Sequence, residues 1–343
     1  MSLDISDIYC RQVLSTEELK EHCKKRNMPS FYINPWDILH LTDTINYKAL
    51  INDDYEIYEK YVSEQPEHSL ETFKSLFDNF DINKMNKIKI EYMTSIDKYI
   101  IRDGIHRMSI LLHKNIYKDK IPLKHLDIVF SHNIIRKIKG ELKKTTGKYH
   151  NNGWHNNTTF GYHSFNIFNI NIKGQRNPKQ RLQIIRKHVN FENKVVVDFG
   201  CNSGGMLLHL HELKKGFGYD FNDNCIDFAN FLNNTLRFNN LNFYKKDLNL
   251  FDFDILKNEN VDIIFLLALG SWIKNWVKLY TNSVKKASTI IYETNNDEEA
   301  KPQLKLFKDL GCDLTLISQA STDDITNNHG RKTYLIKTNH TTN

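Results

Sequence analysis

The chain has only five cysteines in 343 residues, Cys10, Cys23, Cys201, Cys225 and Cys312, and no two of them form a Cys-x-x-Cys pair. An odd, scattered set excludes a disulfide framework and a zinc site built on paired thiolates, so no metal is expected and a reducing compartment is. Long apolar runs are also missing: no stretch approaches the roughly 20 residues that cross a bilayer. The opening Met1-Ser-Leu-Asp-Ile-Ser-Asp is acidic, unlike a secretory leader. A cytoplasmic protein without a membrane span is the expectation. Neither sign of charge dominates, since 47 basic against 41 acidic residues leave +6. That is a mild pull toward an anionic partner, and much of it is local to Arg136-Lys-Ile-Lys-Gly-Glu-Leu-Lys-Lys-Thr-Thr-Gly-Lys148, which reads as a solvated basic linker over 136–153.

What is present is apolar material for more than one core. Hydrophobic residues make up 40% of the chain and aromatics 12%, and the length exceeds one average domain. We therefore expect two folded units, 1–135 and 154–343. The most informative stretch lies in the second, Val195-Val-Val-Asp-Phe-Gly-Cys-Asn-Ser-Gly-Gly205. Its β-branched start reads as a strand buried on both faces, and its glycines allow a tight turn into an apolar helix expected over Met206 to Lys214. Asp220 follows 22 residues after Asp198, at the end of a second strand, Phe217 to Asp220. Such an acid reaches ribose hydroxyls in a doubly wound sheet. A helix over Asp223 to Phe238 and a third strand, Leu241 to Lys246, bring a third acid, Asp247, to the same rim. Strands at Val261 to Leu267 and Ala287 to Glu293, helices at Trp272 to Ser283 and Glu298 to Leu310, and two closing β-runs, Cys312 to Gln319 and Arg331 to Lys337, complete the pattern. A Gly-x-Gly-x-x-Gly dinucleotide fingerprint is absent, because Asn202 stands between Gly200 and Gly204.

This succession of Asp-Phe-Gly-Cys-Asn-Ser-Gly, Gly-Tyr-Asp and Lys-Asp-Leu resembles the class I S-adenosylmethionine (SAM) methyltransferases over roughly the second half of the chain. The resemblance implies an α/β, Rossmann-like, seven-stranded sheet closed by an antiparallel hairpin. It also implies SAM as cofactor, held by Asp198, Gly200, Cys201, Asn202 and Gly204 around the methionine part, Asp220 at the ribose and Asp247 near the adenine, with Leu267 at the end of the fourth strand. Asn202 replaces a glycine frequent in the family and tolerates a left-handed backbone. The Asp/Asn-Pro-Pro motif of amino-group DNA methyltransferases is missing, since Leu267-Ala-Leu-Gly-Ser-Trp272 stands in its place. An oxygen acceptor on a small molecule, sugar or glycan precursor is therefore expected.

Upstream, Gly161-Tyr-His-Ser-Phe165 and Lys173-Gly-Gln-Arg-Asn-Pro178 are similar to segments of tRNA wobble-uridine carboxymethyltransferase-type enzymes and related small-molecule and sugar methyltransferases. They make Tyr162, Gln175 and Arg176 candidates for lining the cleft, with Trp272 a candidate wall for the sulfonium. A methyl acceptor that is a hydroxyl must lose a proton, and Glu293, His163 and His329 are the candidate bases.

In the first half, Pro29 to Pro35, Lys87 to Tyr92 and Tyr99 to Asp103 read as strands, the last running into a helix over Met108 to His113. The junction Asp103-Gly-Ile-His-Arg107 offers free N–H groups at a helix start plus two side-chain donors, a phosphate-binding arrangement. It resembles the Asp-Gly-x-His-Arg motif of ParB/sulfiredoxin-like domains, which implies an α+β unit with Asp103, Gly104, His106 and Arg107 at a nucleotide. The alternatives are Arg107 stapling the turn through Asp103, a bifunctional enzyme using ATP with Mg2+ there, and a nucleic-acid-binding module directing the methyltransferase to RNA.

Overall fold

The computed structural model describes residues 2–12, 37–53, 55–61, 69–93, 97–145, 161–324 and 330–339. The strand expected over Pro29 to Pro35 and the candidate base His329 lie outside them. The chain divides into two compact units, Ser2–Ile135 and Arg136–Asn343, with Met1 grouped with the second.

In the first unit, β1 (Ser2–Asp4) pairs antiparallel with β6 (Lys120–Pro122). A second, mixed sheet has the order β3-β2-β5-β4-β7, built from β2 (Ile8–Gln12), β3 (Asp37–His40), β4 (Ile88–Met93), β5 (Lys98–Asp103) and β7 (Leu126–Phe130). Strand β4 starts with the alternation of a half-buried strand, Ile88 and Ile90 covered and Lys89 exposed, whereas β5 buries Tyr99, Ile100 and Ile101 in succession, as a central strand covered on both faces does. Helices α1 (Ile45–Asn52), α2 (Glu56–Tyr61), α3 (Leu70–Asp78) and α4 (Ile105–His113) accompany the sheet. Ile45, Ala49, Leu50, Tyr58, Phe73 and Ile110 form one apolar cluster between them.

The basic stretch, expected as a solvated linker helix, is helical as far as Lys144, in α5 (His132–Lys144), but Ile138 and Leu142 are buried while its lysines face outward or sit at the margin. Its apolar residues at i and i+4 explain the difference: a stretch with a buried stripe is worth ordering, whatever its charge.

In the second unit a two-stranded ribbon, β8 (Phe165–Ile167) with β9 (Ile170–Ile172), leads to α6 (Pro178–Ile185). Then follow β10 (Val195–Phe199), α7 (Gly205–Leu208), β11 (Lys215–Asp220), α8 (Asp223–Leu236), β12 (Leu241–Lys245), β13 (Ile263–Leu267), α9 (Trp276–Lys286), β14 (Thr289–Glu293), α10 (Asp297–Asp309), β15 (Asp313–Ser318) and β16 (Thr333–Lys337). The sheet runs β12-β11-β10-β13-β14-β16-β15. The first five strands are parallel, and β16 lies antiparallel between β14 and β15. Every residue of β10 and β14 is buried, as expected of central strands covered on both faces.

The helix after the glycine turn is shorter than its apolar run suggests, ending at Leu208 instead of Lys214. The His209 ring explains this. Its Nδ1 lies 2.7 Å from the Gly205 carbonyl oxygen, taking the acceptor that the next helical N–H would use, and the His209 N–H turns to Met206 instead.

Candidate active site

Because five strands run parallel, their carboxyl ends share one rim, and the order reverses between β10 and β13, the crevice where ligands bind in open α/β sheets. The loop leaving β10 is folded against its neighbour: the Gly200 and Cys201 N–H groups both donate to the Tyr219 carbonyl, at 2.8 and 3.1 Å. Three residues of the loop take left-handed backbone, Gly200 (φ 73°), Asn202 (φ 48°) and Gly204 (φ 75°). At Gly204 a Cβ would stand 2.7 Å from the Phe243 ring, so both backbone and packing require glycine.

Two acids meet at this loop. Asp220 accepts the Asn202 N–H through Oδ2 and the Asn222 N–H through Oδ1, each at 2.9 Å. Asp198 is buried, and its Oδ2 has no hydrogen-bond partner among the described residues. Burial, then the neighbouring Asp220, pushes the Asp198 carboxyl well above its usual range; burial also raises Asp220, against the pull of the loop N–H groups. An orphaned buried carboxylate oxygen beside a second acid and a backbone cradle fits a ligand that brings hydroxyl and ammonium donors. The ribose and amino group of SAM are such donors.

The other residues expected at this cofactor are placed less closely. Cys201 is buried and its thiol is pushed up by burial, so its contribution to the loop is backbone. Asp247 stands on the rim but is exposed, and its Oδ1 accepts the Asn249 N–H at 2.9 Å. Leu267 ends β13 in register with Glu293.

The upstream segment reaches the same loop. His163 is 4% exposed, its Nδ1 is 3.3 Å from Ser203 Oγ, and its ring fills the space a Cβ on Gly205 would occupy, 2.5 Å from Cγ. Burial, with Arg176 and His209 adding to it, brings His163 down to about 3. Burial thus keeps this ring neutral and makes it a weak base. The Tyr162 ring lies 4.9 Å from it.

Glu293 is likewise not an open base. Its Oε1 and Oε2 both accept from Arg176 Nη2 at 3.2 Å, Arg181 Nη2 is 3.3 and 3.2 Å from the same two oxygens, and Arg331 Nη1 is 3.7 Å from Oε1. Burial pushes Glu293 up to about 7, with the Arg176 guanidinium pulling the other way. Gln175 and Arg176, expected to line a cleft, are instead buried in this network. Gln175 Nε2 donates to Asp324, and Arg176 donates to Asp323 from Nε (2.8 Å) and Nη2 (3.1 Å). Arg181 stands out in sequence only as a neighbour of the Lys173-to-Pro178 segment, and Asp323 and Asp324 not at all; nothing in local spacing joins residues more than 110 positions apart. Trp272 is 74% exposed, a free surface ring rather than a packed one.

In the first unit, Gly104 (φ 94°) starts α4, and the Arg107 guanidinium donates to Asp103 (2.9 Å) and to the Asn86 carbonyl (3.0 Å). The turn is stapled. His106 sits among aromatics, Nε2 2.7 Å from Tyr58 Oη and its ring 4.7 Å from Phe73. Among the described residues no group of His, Cys, Asp and Glu could hold a metal ion.

The fold and the loop thus define a cofactor-binding α/β domain of the methyltransferase type. Residues 190–311 match the family described as a methyltransferase domain, and the C-terminal half of the chain carries such a domain. Over 150 residues the chain is 30% identical to the tRNA U34 carboxymethyltransferase of Helicobacter hepaticus, 39% of this chain and 46% of that protein. The chain thus spans about half the length of this relative. Among solved structures, the N-terminal domain of EvdMO1 with S-adenosylhomocysteine (SAH) bound aligns over 59% of this chain and 96% of that one, at 12% identity and a TM-score of 0.42. A SAM-dependent methyltransferase from Aquifex aeolicus aligns over 48% and 90%, at 16% identity and a TM-score of 0.36. No helix of the described residues is long and apolar enough to cross a membrane.

Proposed function

We propose that the second unit transfers a methyl group from SAM to an oxygen of a small hydroxyl substrate such as a sugar or glycan precursor. The observation that carries the cofactor is the convergence of Asp198, with its unpartnered Oδ2, and Asp220 on the left-handed loop Gly200 to Gly204. SAM, when bound, supplies an electrophilic methyl on a sulfonium. The protein's part is to hold it by Asp220 and the buried Asp198 carboxyl beside the glycine turn, and so to align it with the acceptor. Both Glu293 oxygens are taken by guanidinium groups, so of the three candidate bases this one is not open to a substrate proton. The hydroxyl acceptor rests on the absence of paired prolines in Leu267 to Trp272.

Calorimetry with SAH tests the cofactor. Asp220→Ala is expected to weaken binding at least tenfold; wild-type affinity in a folded variant removes the assignment.

A second reading has specific support. The H. hepaticus relative is named for a tRNA nucleoside, and the exposed Trp272 ring beside the crevice could stack a base. Salt-dependent RNA binding lost in Trp272→Ala would favour it. The first unit we read as a ParB/sulfiredoxin-like module, on its Asp103-to-Arg107 motif. ATP with Mg2+ at that turn gains no support from Arg107, whose donors go to Asp103 and Asn86.

A further inference from the structure

We propose that Arg176 is a positioning residue for the cofactor loop: its backbone and its buried ion network together seat His163 against Ser203 and Gly205. The proposal rests on reading that loop as the SAM site.

The argument starts from the backbone. The Arg176 N–H donates to the Tyr162 carbonyl and the Arg176 carbonyl accepts the Ser164 N–H, each at 2.7 Å, so the peptide groups on both sides of His163 are tied to one residue. The same residue's guanidinium is fully buried and is fixed at its far end by Glu293, at the carboxyl end of β14, and by Asp323. Arg176 also bridges by backbone to Asp324. His163 is therefore held in place by two parts of the chain remote in sequence, and its ring meets the turn where glycine leaves room for it.

A merely structural account is weak on energetic grounds. Taking Arg176, Arg181, Glu293 and Asp323 out of water is costly, and apolar residues of similar volume often stabilise a core as well or better. What a guanidinium gives that a leucine cannot is direction. It spans two carboxylates on separate segments at fixed angles, and at this rim that direction is passed through His163 to the glycine loop.

The test uses the full chain with nitrogen-15-labelled histidine spectra and SAH calorimetry. Arg176→Lys keeps the charge but cannot span both carboxylates. The expected result, in a variant that still unfolds cooperatively, is a shift of the His163 ring signals and a loss of SAH affinity of about tenfold. His163 signals and SAH affinity unchanged in the folded variant overturn the proposal. If Arg176→Lys does not fold, Glu293→Gln, which keeps the shape and removes the charge, is expected to move the same two readouts by less; no movement overturns it. Absence of SAH binding by the wild type would defeat the cofactor reading alone, because the His163 signals still decide the positioning.

Discussion

Two strand-to-helix turns in this chain are built from nearly the same parts, and their chemistry diverges. At the end of β5, Asp103 is followed by a left-handed glycine and a nine-residue helix; at the end of β10, Asp198 leads to a loop with left-handed glycines and a four-residue helix. In the first turn the acid is answered from within, by Arg107 one helical turn later. In the second it is left buried beside another acid, with an oxygen that nothing among the described residues satisfies. A glycine turn alone is scaffolding. What marks the second as a site is the unmet hydrogen-bonding demand around it.

Breaking the ion pairs that attend the two turns should separate them most widely. Arg176→Met leaves Glu293 and Asp323 short of their buried partner and is expected to cost about 3–5 kcal/mol in denaturant unfolding. Arg107→Met removes a pair whose acid is 69% exposed, at about 1 kcal/mol or less. Equal losses would erase the contrast between a buried network and a surface staple.

A pH titration sharpens it next. Burial lowers His209 to about 4, and its Nε2 accepts the Asn166 N–H at 3.1 Å, so the folded state favours the neutral ring. The unfolded chain binds this proton near pH 6.5 and the folded chain only near 4, so the contribution is complete above 6.5 and is lost as pH falls toward 4. Unfolding free energy of wild type minus that of His209→Gln should decline over that window by at most about 1.4 kcal/mol per pH unit. A flat difference would show that the ring is not held neutral. The smallest effect is expected at Trp272→Ala. Stability should change by less than about 0.5 kcal/mol and SAH affinity by less than twofold, since the ring is free on the surface. A larger loss of stability would mean that the ring packs in solution.

The strands and acids of the second unit were readable because they are local: a three-residue β-branched run, a glycine turn and a fixed step to the next acid each fall within a short window. The ends of α7 and the roles of Glu293 and Arg176 were not. His209 stops a helix through a side-chain bond that has no signature in apolar periodicity, and an apolar run through Leu213 concealed it. Glu293 looked like a base because it ends a central strand at the rim. Its partners, Arg176 117 residues upstream and Arg331 38 residues downstream, exist only once the sheet is assembled. In the first half, the motif from Asp103 to Arg107 was legible as a turn and the Arg107–Asp103 staple was among its readings, whereas the Asn86 carbonyl, 21 positions earlier, joins it only in the fold.

The strand order carries a consequence for biosynthesis. Because β16 is wedged between β14 and β15, the edge of β14 stays unpaired on that side until residues 333–337 leave the ribosome, although the residues around the glycine loop were made more than 125 positions earlier. A nascent chain stalled before Thr333 would hold the cofactor turn and still present an open, wholly buried-type strand edge, a natural holding point for chaperones and a hazard for self-association.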